Sequence, residues 1–337
     1  MISRLTAHSW RPLGAHTSCH LGAQVCAQPQ KNPGLNYWRQ STFRTYTSAH
    51  LDKPVVDLLY DLLPSDTGTR ERPIVMLHGF LGSRRNWRTL ARTFAKNLDR
   101  PVYTLDLRNH GNSPRATPMD YTSMATDVQH FLASKSLSEV CLIGHSMGGK
   151  VASLLALTDP SLLSSLIIED TAPAPAPPEG AEQNMHYVEL MERINELSLD
   201  DKRADLERKQ VDAMLLEMGV EDITIRQFLL TNFAYSCSID ARRRGYFHPP
   251  LEIMKTYIHN LSAPFPLPLL SDGSNKGWGG KVLVVRGSKS PYLDSSKLAL
   301  LKDVFPNMQL TTLDAGHWVH AERPGEFGAA VEEFLKG

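Results

Sequence analysis

The first 51 residues contain neither aspartate nor glutamate; Asp52 is the first acid of the chain. The same stretch carries Arg4, Arg11, Lys31, Arg39 and Arg44 among many serines and threonines. A leader without acids and rich in arginine and serine has the composition of a mitochondrial transit peptide. R-T-Y-T at 44–47 sets Arg44 two residues before a cut after Tyr46, a spacing used by matrix proteases. Residues 1–46 are therefore expected to be a leader, and the mature protein to work in the mitochondrion, in its matrix. The cut removes five of the 36 basic residues and none of the 36 acidic ones, so a neutral chain becomes acidic.

Other absences narrow the function. No run reaches the roughly 18 apolar residues that a membrane span requires, so no transmembrane helix is predicted. The net charge is zero and Lys/Arg residues form no long block, which argues against nucleic acid as a partner. The four cysteines, at 19, 26, 141 and 237, include no C-x-x-C pair. A zinc ribbon or a disulfide scaffold is thereby disfavoured, and no metal or cofactor is expected. Cys141 and Cys237, the two beyond the leader, read as reduced, buried thiols. No internal repeat is evident. At 42% hydrophobic and 21% charged residues the composition is that of a globular protein. A length of 337 residues suits one large domain with an insertion, or two small ones.

Short apolar runs alternate with helical spacing along the chain. V-V-D-L-L-Y-D-L-L after Pro54 is consistent with an early strand. P-I-V-M-L at 73–77 is wholly apolar and runs into H-G-F-L-G-S, which reads as a buried parallel strand and its turn. P-V-Y-T-L-D-L at 101–107, V-C-L-I-G at 140–144, L-I-I-E-D at 166–170, K-V-L-V-V-R-G at 281–287 and M-Q-L-T-T-L at 308–313 have strand character. Helical spacing marks 86–95, 121–132, the segment from Lys150, and the C-terminal P-G-E-F-G-A-A-V-E-E-F-L. Such alternation predicts an α/β fold with a mostly parallel sheet flanked by helices.

The alternation breaks at T-A-P-A-P-A-P-P-E-G, residues 171–180, a connector too rich in proline for helix or central strand. From 184 to 236 the pattern reads as helical throughout, and another helix is expected over 251–261. The core is thus predicted as residues 51–171 and 270–337, with a helical cap inserted at 172–269. Met185, Met191, Met214 and Met218 on the cap helices read as core filler before they read as an acyl pocket.

One stretch carries chemistry. G-H-S-M-G at 144–148 lies between a predicted strand and a predicted helix, the context that a G-x-S-x-G nucleophile elbow requires. There Ser146 would be the nucleophile, and the backbone N–H of Met147 would face a developing oxyanion. A second oxyanion donor is expected from H-G-F-L-G-S, at the N–H of Phe80. A serine hydroxyl needs a base, and the base needs an orienting acid. Of 13 histidines, His317 in L-D-A-G-H-W-V-H fits the base best, between the last strand and the last helix. His320 is its nearest rival; His145 lies inside the elbow, and His110 in R-N-H-G lies in a nearby loop. Two carboxylates compete as the acid. Asp170 ends L-I-I-E-D, one strand closer to the nucleophile than Asp294 in R-G-S-K-S-P-Y-L-D, and is preferred.

H-G-F-L-G-S, D-L-R-N-H-G-N-S, G-H-S-M-G-G-K and D-A-G-H-W-V-H-A-E-R-P together resemble the α/β-hydrolase superfamily. The resemblance is to its branch of abhydrolase domain-containing protein 11, bacterial short-acyl esterases and fungal mitochondrial ethanol acetyltransferases, and covers most of residues 54–337. In most of the superfamily the acid follows a later strand in a G-x-x-D pattern, and here Ser290 stands at that place. In this branch the acid follows the strand after the elbow helix, which matches Asp170. I-R-Q-F-L-L-T-N-F is similar to the family's cap, although A-R-R-R-G-Y-F-H-P-P replaces a tryptophan-containing stretch. The resemblance implies an α/β-hydrolase fold and an enzyme of acyl transfer. The leading expectation is hydrolysis of a short- or medium-chain ester or thioester through an acyl-enzyme. The second is transfer of acetyl from acetyl-CoA to an alcohol such as ethanol. The third is a non-catalytic partner that maintains a mitochondrial 2-oxoacid dehydrogenase complex.

Overall fold

Residues 73–77 run apolar without a break because the strand they form is covered on both faces. In the computed structural model, which describes residues 54–68, 72–199, 207–237, 243–263, 265–268 and 277–337, this strand is β2, Ile74–Leu77, and all four side chains are buried. Ile74 and Met76 point into one apolar layer with Trp87, Phe94 and Phe327; Val75 and Leu77 point into the other with Met124, Val151 and Leu155. Each fully buried side chain of this kind contributes about 1.5–3 kcal/mol relative to exposure. The predicted leader, residues 1–46, lies outside the described residues.

The remaining elements follow the alternation. β1 (Tyr60–Leu63) precedes β2; α1 (Arg88–Leu98), β3 (Val102–Leu105), α2 (Tyr121–Ser134), β4 (Val140–His145), α3 (Met147–Thr158) and β5 (Leu163–Glu169) come after it. Beyond an insertion come β8 (Lys281–Gly287), α8 (Ser295–Val304), β9 (Met308–Leu313), the short α9 (Val319–Glu322) and α10 (Pro324–Lys336). The sheet has the order β1-β3-β2-β4-β5-β8-β9. Only β1 runs antiparallel to its neighbour, β3; the other pairings are parallel. α1 and α10 cover one face, and α2 and α3 the other. Since parallel strands share one direction, the C-terminal ends of β2, β4, β5 and β8 open on one edge, where ligands bind in sheets of this kind.

The insertion between β5 and β8 holds α4 (Pro178–Leu199), α5 (Arg208–Glu217), α6 (Ile223–Leu230) and α7 (Leu251–Ser262). It is not helical throughout. β6 (Phe233–Cys237) and β7 (Arg243–Phe247) form an antiparallel hairpin with Phe233 opposite Phe247. This corrects the expectation of continuous helix to residue 236. Aromatic residues at 233, 235, 246 and 247 favour the pleated surface, and their rings pack edge-on, Phe233 against Tyr235 and Phe247 at 5.4 Å. The Asn195 side chain on α4 completes the hairpin edge: its Oδ1 accepts from the Phe247 amide and its Nδ2 donates to the Phe247 carbonyl, at 2.6 and 3.1 Å.

Candidate active site

Gly144 and Gly148 bracket a turn into which nothing larger fits. A Cβ on Gly144 would lie 2.3 Å from the Gly148 carbonyl oxygen; one on Gly148 would lie 2.6 Å from the carbonyl oxygens of Leu77 and His78. The N-terminus of α3 is thereby drawn against β2 and β4. Between the two glycines Ser146 adopts φ +51° and ψ −114°, a left-handed conformation that costs on the order of 1–3 kcal/mol in a residue with a Cβ. Its amide is tied by donation to the Glu169 carbonyl at 3.0 Å. The result is a serine side chain raised above the C-terminal edge of the sheet.

Three side chains form one line of hydrogen bonds. The His317 Nε2 lies 2.9 Å from Ser146 Oγ, and its Nδ1 lies 2.7 Å from Asp170 Oδ2. A carboxylate only accepts, so Nδ1 carries the hydrogen and Nε2 offers a lone pair to the serine hydroxyl. Asp170 follows β5, is fully buried and adopts φ +49°. Its Oδ1 accepts from the Gly287 amide at 3.0 Å, and its Oδ2 accepts also from the Ser290 hydroxyl. Ser290, in the loop after β8, thus donates to the acid on the neighbouring strand. Asp294 takes no part. It caps α8, accepting from the Lys297 amide at 2.9 Å and the Ser296 hydroxyl at 2.6 Å.

The amides proposed for the oxyanion stand beside the serine. Met147 is the first residue of α3, where an amide has no acceptor inside its own helix and the helix dipole is positive. The Phe80 amide has no acceptor among the described residues. Two clefts meet at Ser146, one larger than the other. Phe80, Ser146, Asn184 and Tyr292 border both. His317, Trp318 and Phe228 line the larger cleft; Met147, Lys150 and Tyr121 line the smaller one.

The histidines weighed beside His317 are engaged elsewhere. His145 donates Nε2–H to the His317 carbonyl at 2.9 Å, and burial, reinforced by the imidazoles of His317 and His320, keeps its pKa well below the ordinary value. His320 donates its amide and Nδ1–H to the buried Glu169 carboxylate, both at 2.8 Å. Ligand atoms of His145, Glu169 and His320 converge within 4.8 Å, and the Glu169 carboxylate is already engaged by His320. His110 donates Nδ1–H to the Arg108 carbonyl at 2.9 Å and packs 5.0 Å from the ring of His78; it borders neither cleft at Ser146. Burial, with His78 beside it, lowers its pKa to about 3, and burial lowers that of His78 to about 4. In the same loop Arg108 clasps Asp127 at 2.5 and 2.7 Å, so this arginine is structural. Met191 is fully buried in the cap's core, and Met214 and Met218 pack against it.

Tyr292 carries no signal in the sequence. Its ring stacks on His317, with centroids 3.7 Å apart. Nothing in S-P-Y-L-D marks that role, which depends on how the loop after β8 folds back. Glu169 was also missed. A second acid beside Asp170 in an otherwise apolar strand was the available signal, since such a carboxylate is buried only with a partner.

A family described as the alpha/beta hydrolase fold matches residues 72–324. A probable alcohol acetyltransferase of Saccharomyces cerevisiae is 33% identical over 90% of this chain and 95% of that protein. An sn-1-specific diacylglycerol lipase, ABHD11, of Xenopus laevis is 34% identical over 84% of this chain and 85% of that one. Among solved structures, a marine microorganism esterase superposes with a TM-score of 0.71 at 29% identity, covering 83% of this chain and 99% of that one.

Proposed function

The chain belongs to the α/β-hydrolase family, and on that premise we propose that it is a serine hydrolase of short- or medium-chain carboxylic esters or thioesters. The observation that carries the reading is the unbroken line from Ser146 Oγ through His317 to Asp170. Ser146 Oγ attacks the carbonyl carbon while its proton passes to His317 Nε2. Asp170 keeps the hydrogen on Nδ1 and stabilises the imidazolium that forms. The amides of Phe80 and Met147 donate to the tetrahedral oxyanion; loss of one such donor typically costs about 3 kcal/mol of transition-state stabilisation. Collapse of the intermediate breaks the bond to the leaving oxygen or sulfur, which takes the proton from Nε2. His317 then removes a proton from water, the hydroxide adds to the acyl-enzyme, and Ser146 leaves reprotonated with release of the acid.

A second reading keeps the acyl-enzyme and replaces water by an alcohol. The similarity to a probable alcohol acetyltransferase over 90% of the chain favours it. One experiment separates the two. Residues 47–337, wild type and Ser146→Ala, receive acetyl-CoA or 4-nitrophenyl esters, with and without ethanol. Acid released only by the wild type supports the hydrolase; ethyl acetate made only by the wild type supports the transferase. Activity retained in Ser146→Ala would end both, and an absence of turnover and of phosphonate labelling would favour the non-catalytic role in a mitochondrial complex. The acid-free leader supports a place in the mitochondrial matrix, tested by fusing residues 1–50 to a fluorescent protein and following its import and cleavage.

A further inference from the structure

The smaller cleft contains a charge that the mechanism does not use. Lys150 lies one helical turn after Ser146 on α3 and borders the same cleft as Ser146 and Met147, yet it is only 5% exposed. Its ammonium sits over the ring of Tyr121, 5.4 Å from the centroid, and the Tyr121 hydroxyl is directed away, donating to the Leu261 carbonyl at 2.8 Å. No carboxylate among the described residues pairs with Lys150. A second cation, Lys297 on α8, borders the same cleft and lies 3.6 Å from the exposed Asp294. Burial, reinforced by Lys297, lowers the Lys150 pKa to about 8, so at neutral pH the ammonium remains charged. A buried cation with an aromatic face and no anion is an incomplete arrangement. A ligand anion would complete it.

The direction of the chemistry says which part of a substrate would carry that anion. The leaving group takes its proton from His317 Nε2, and His317 borders the larger cleft. The acyl group then extends into the smaller cleft, past Met147, along the apolar walls of Tyr121, Ile258 and Leu261. We propose that this cleft is an acyl subsite for a short chain ending in a carboxylate, with Lys150 as the carboxylate's partner and Lys297 at its side. The substrates would be half-esters or half-thioesters of short dicarboxylic acids, whose methylenes meet the walls and whose far carboxylate meets the ammonium. A plain fatty chain would leave Lys150 unpaired against hydrocarbon. The assignment of clefts rests on the serine-hydrolase reading above.

The test uses 4-nitrophenyl half-esters of succinic, glutaric and adipic acid, each beside its methyl-capped diester of equal length, with uncatalysed rates subtracted. The wild type is expected to favour at least one half-ester over its capped counterpart by roughly tenfold or more in kcat/KM, the scale of a buried charge-assisted hydrogen bond. Lys150→Met is expected to abolish that ratio, and Lys297→Met to reduce it about threefold. Lys302→Met, on the exposed face of α8, keeps it and so controls for lost surface charge. Equal rates for every pair, or a ratio that survives Lys150→Met, would overturn the proposal. Calorimetry of adipate against hexanoate gives a second readout on the wild type and Lys297→Met, should Lys150→Met fail to fold. It also separates the two readings. A protein that cleaves no ester and is not labelled at Ser146 by a fluorophosphonate refutes the hydrolase, while tenfold tighter adipate binding would still support the anion site and equal binding would refute it.

Discussion

The ring of Tyr292 lies almost parallel to that of His317, at 16° and 3.7 Å between centroids. Burial, and next to it the Asp170 charge, pushes the Tyr292 hydroxyl up to about 12, so the ring stays a neutral phenol at working pH. The imidazole is confined by this face and by His145, whose ring centroid lies 4.8 Å away. Such confinement holds Nε2 on Ser146 and Nδ1 on Asp170 together. Stacked aromatic pairs contribute about 0.5–1.5 kcal/mol beyond their buried area. Tyr292→Ala should therefore lower kcat/KM on a neutral ester by roughly threefold to tenfold, while Tyr292→Phe, which keeps the stack, should stay near wild type. Steady-state kinetics with 4-nitrophenyl acetate decides; a Tyr292→Ala enzyme at full rate would remove the stack from the mechanism.

Ser290 and Asp170 occupy two strand ends of one hydrogen-bonded unit. Asp170→Asn should reduce kcat by about 10⁴-fold, the scale seen when a triad acid is replaced by its amide. Ser290→Ala should cost roughly tenfold, since a hydrogen bond to a charged group is worth about 1.5–3 kcal/mol and only part of it is sensitive to the transition state. A sharper consequence concerns the double variant Asp170→Asn, Ser290→Asp. It restores a carboxylate on the β8 side, so kcat should recover at least tenfold over Asp170→Asn alone. No recovery would mean that a side chain at 290 reaches Asp170 but not the imidazole.

Much of this site is legible in the sequence. The fully apolar strand before H-G-F-L-G-S had to be buried on both faces, and it is. G-H-S-M-G between strand and helix located the turn, because Gly144 and Gly148 are where neighbouring backbone leaves no space for a Cβ. His317 and Asp170 were readable as chain positions after strands whose ends share an edge. What escaped depends on contacts between distant segments. The hairpin of β6 and β7 was hidden because its apolar residues also satisfy a helical spacing, and pairing across the turn decides. Helix α8 was passed over for lack of a strong apolar period; Asp294, weighed as a catalytic acid, is its cap. Tyr292 and Glu169 acquire their roles from His317 and His320, which are 25 and 151 residues away in the chain.

One side chain of α4 ties the hairpin edge by hydrogen bonds. Asn195 exchanges two hydrogen bonds with the backbone of Phe247, a residue buried in the cap's core. Asn195→Ala would leave a buried amide and a buried carbonyl without these partners, each at a cost of about 1–3 kcal/mol. Hydrogen exchange at 243–247 should quicken by tenfold or more, with the sheet strands β4 and β5 unchanged. Unaltered protection of the hairpin would show that its aromatic packing suffices.

Acidification should weaken the fold before the carboxylates titrate. His78, His110 and His145 all have pKa values lowered from the ordinary 6.5, in each case chiefly by burial. All three are neutral in the folded protein at neutral pH, whereas the unfolded chain takes up their protons below about 6.5. Stability is therefore intact above pH 6.5 and declines as the pH falls, because the unfolded state binds more protons. Each histidine adds a slope of up to about 1.4 kcal/mol per pH unit. The contribution of His78 levels off near pH 4 and that of His110 near pH 3. Urea unfolding followed between pH 7.5 and 5 should show the midpoint falling below pH 6.5. In His110→Phe, which keeps a ring against His78, the slope should be shallower by one proton. A midpoint that is flat from pH 6.5 to 5, or an unchanged slope in His110→Phe, would mean that these imidazoles are already protonated in the folded protein, and that the layer beneath the candidate site is open to water.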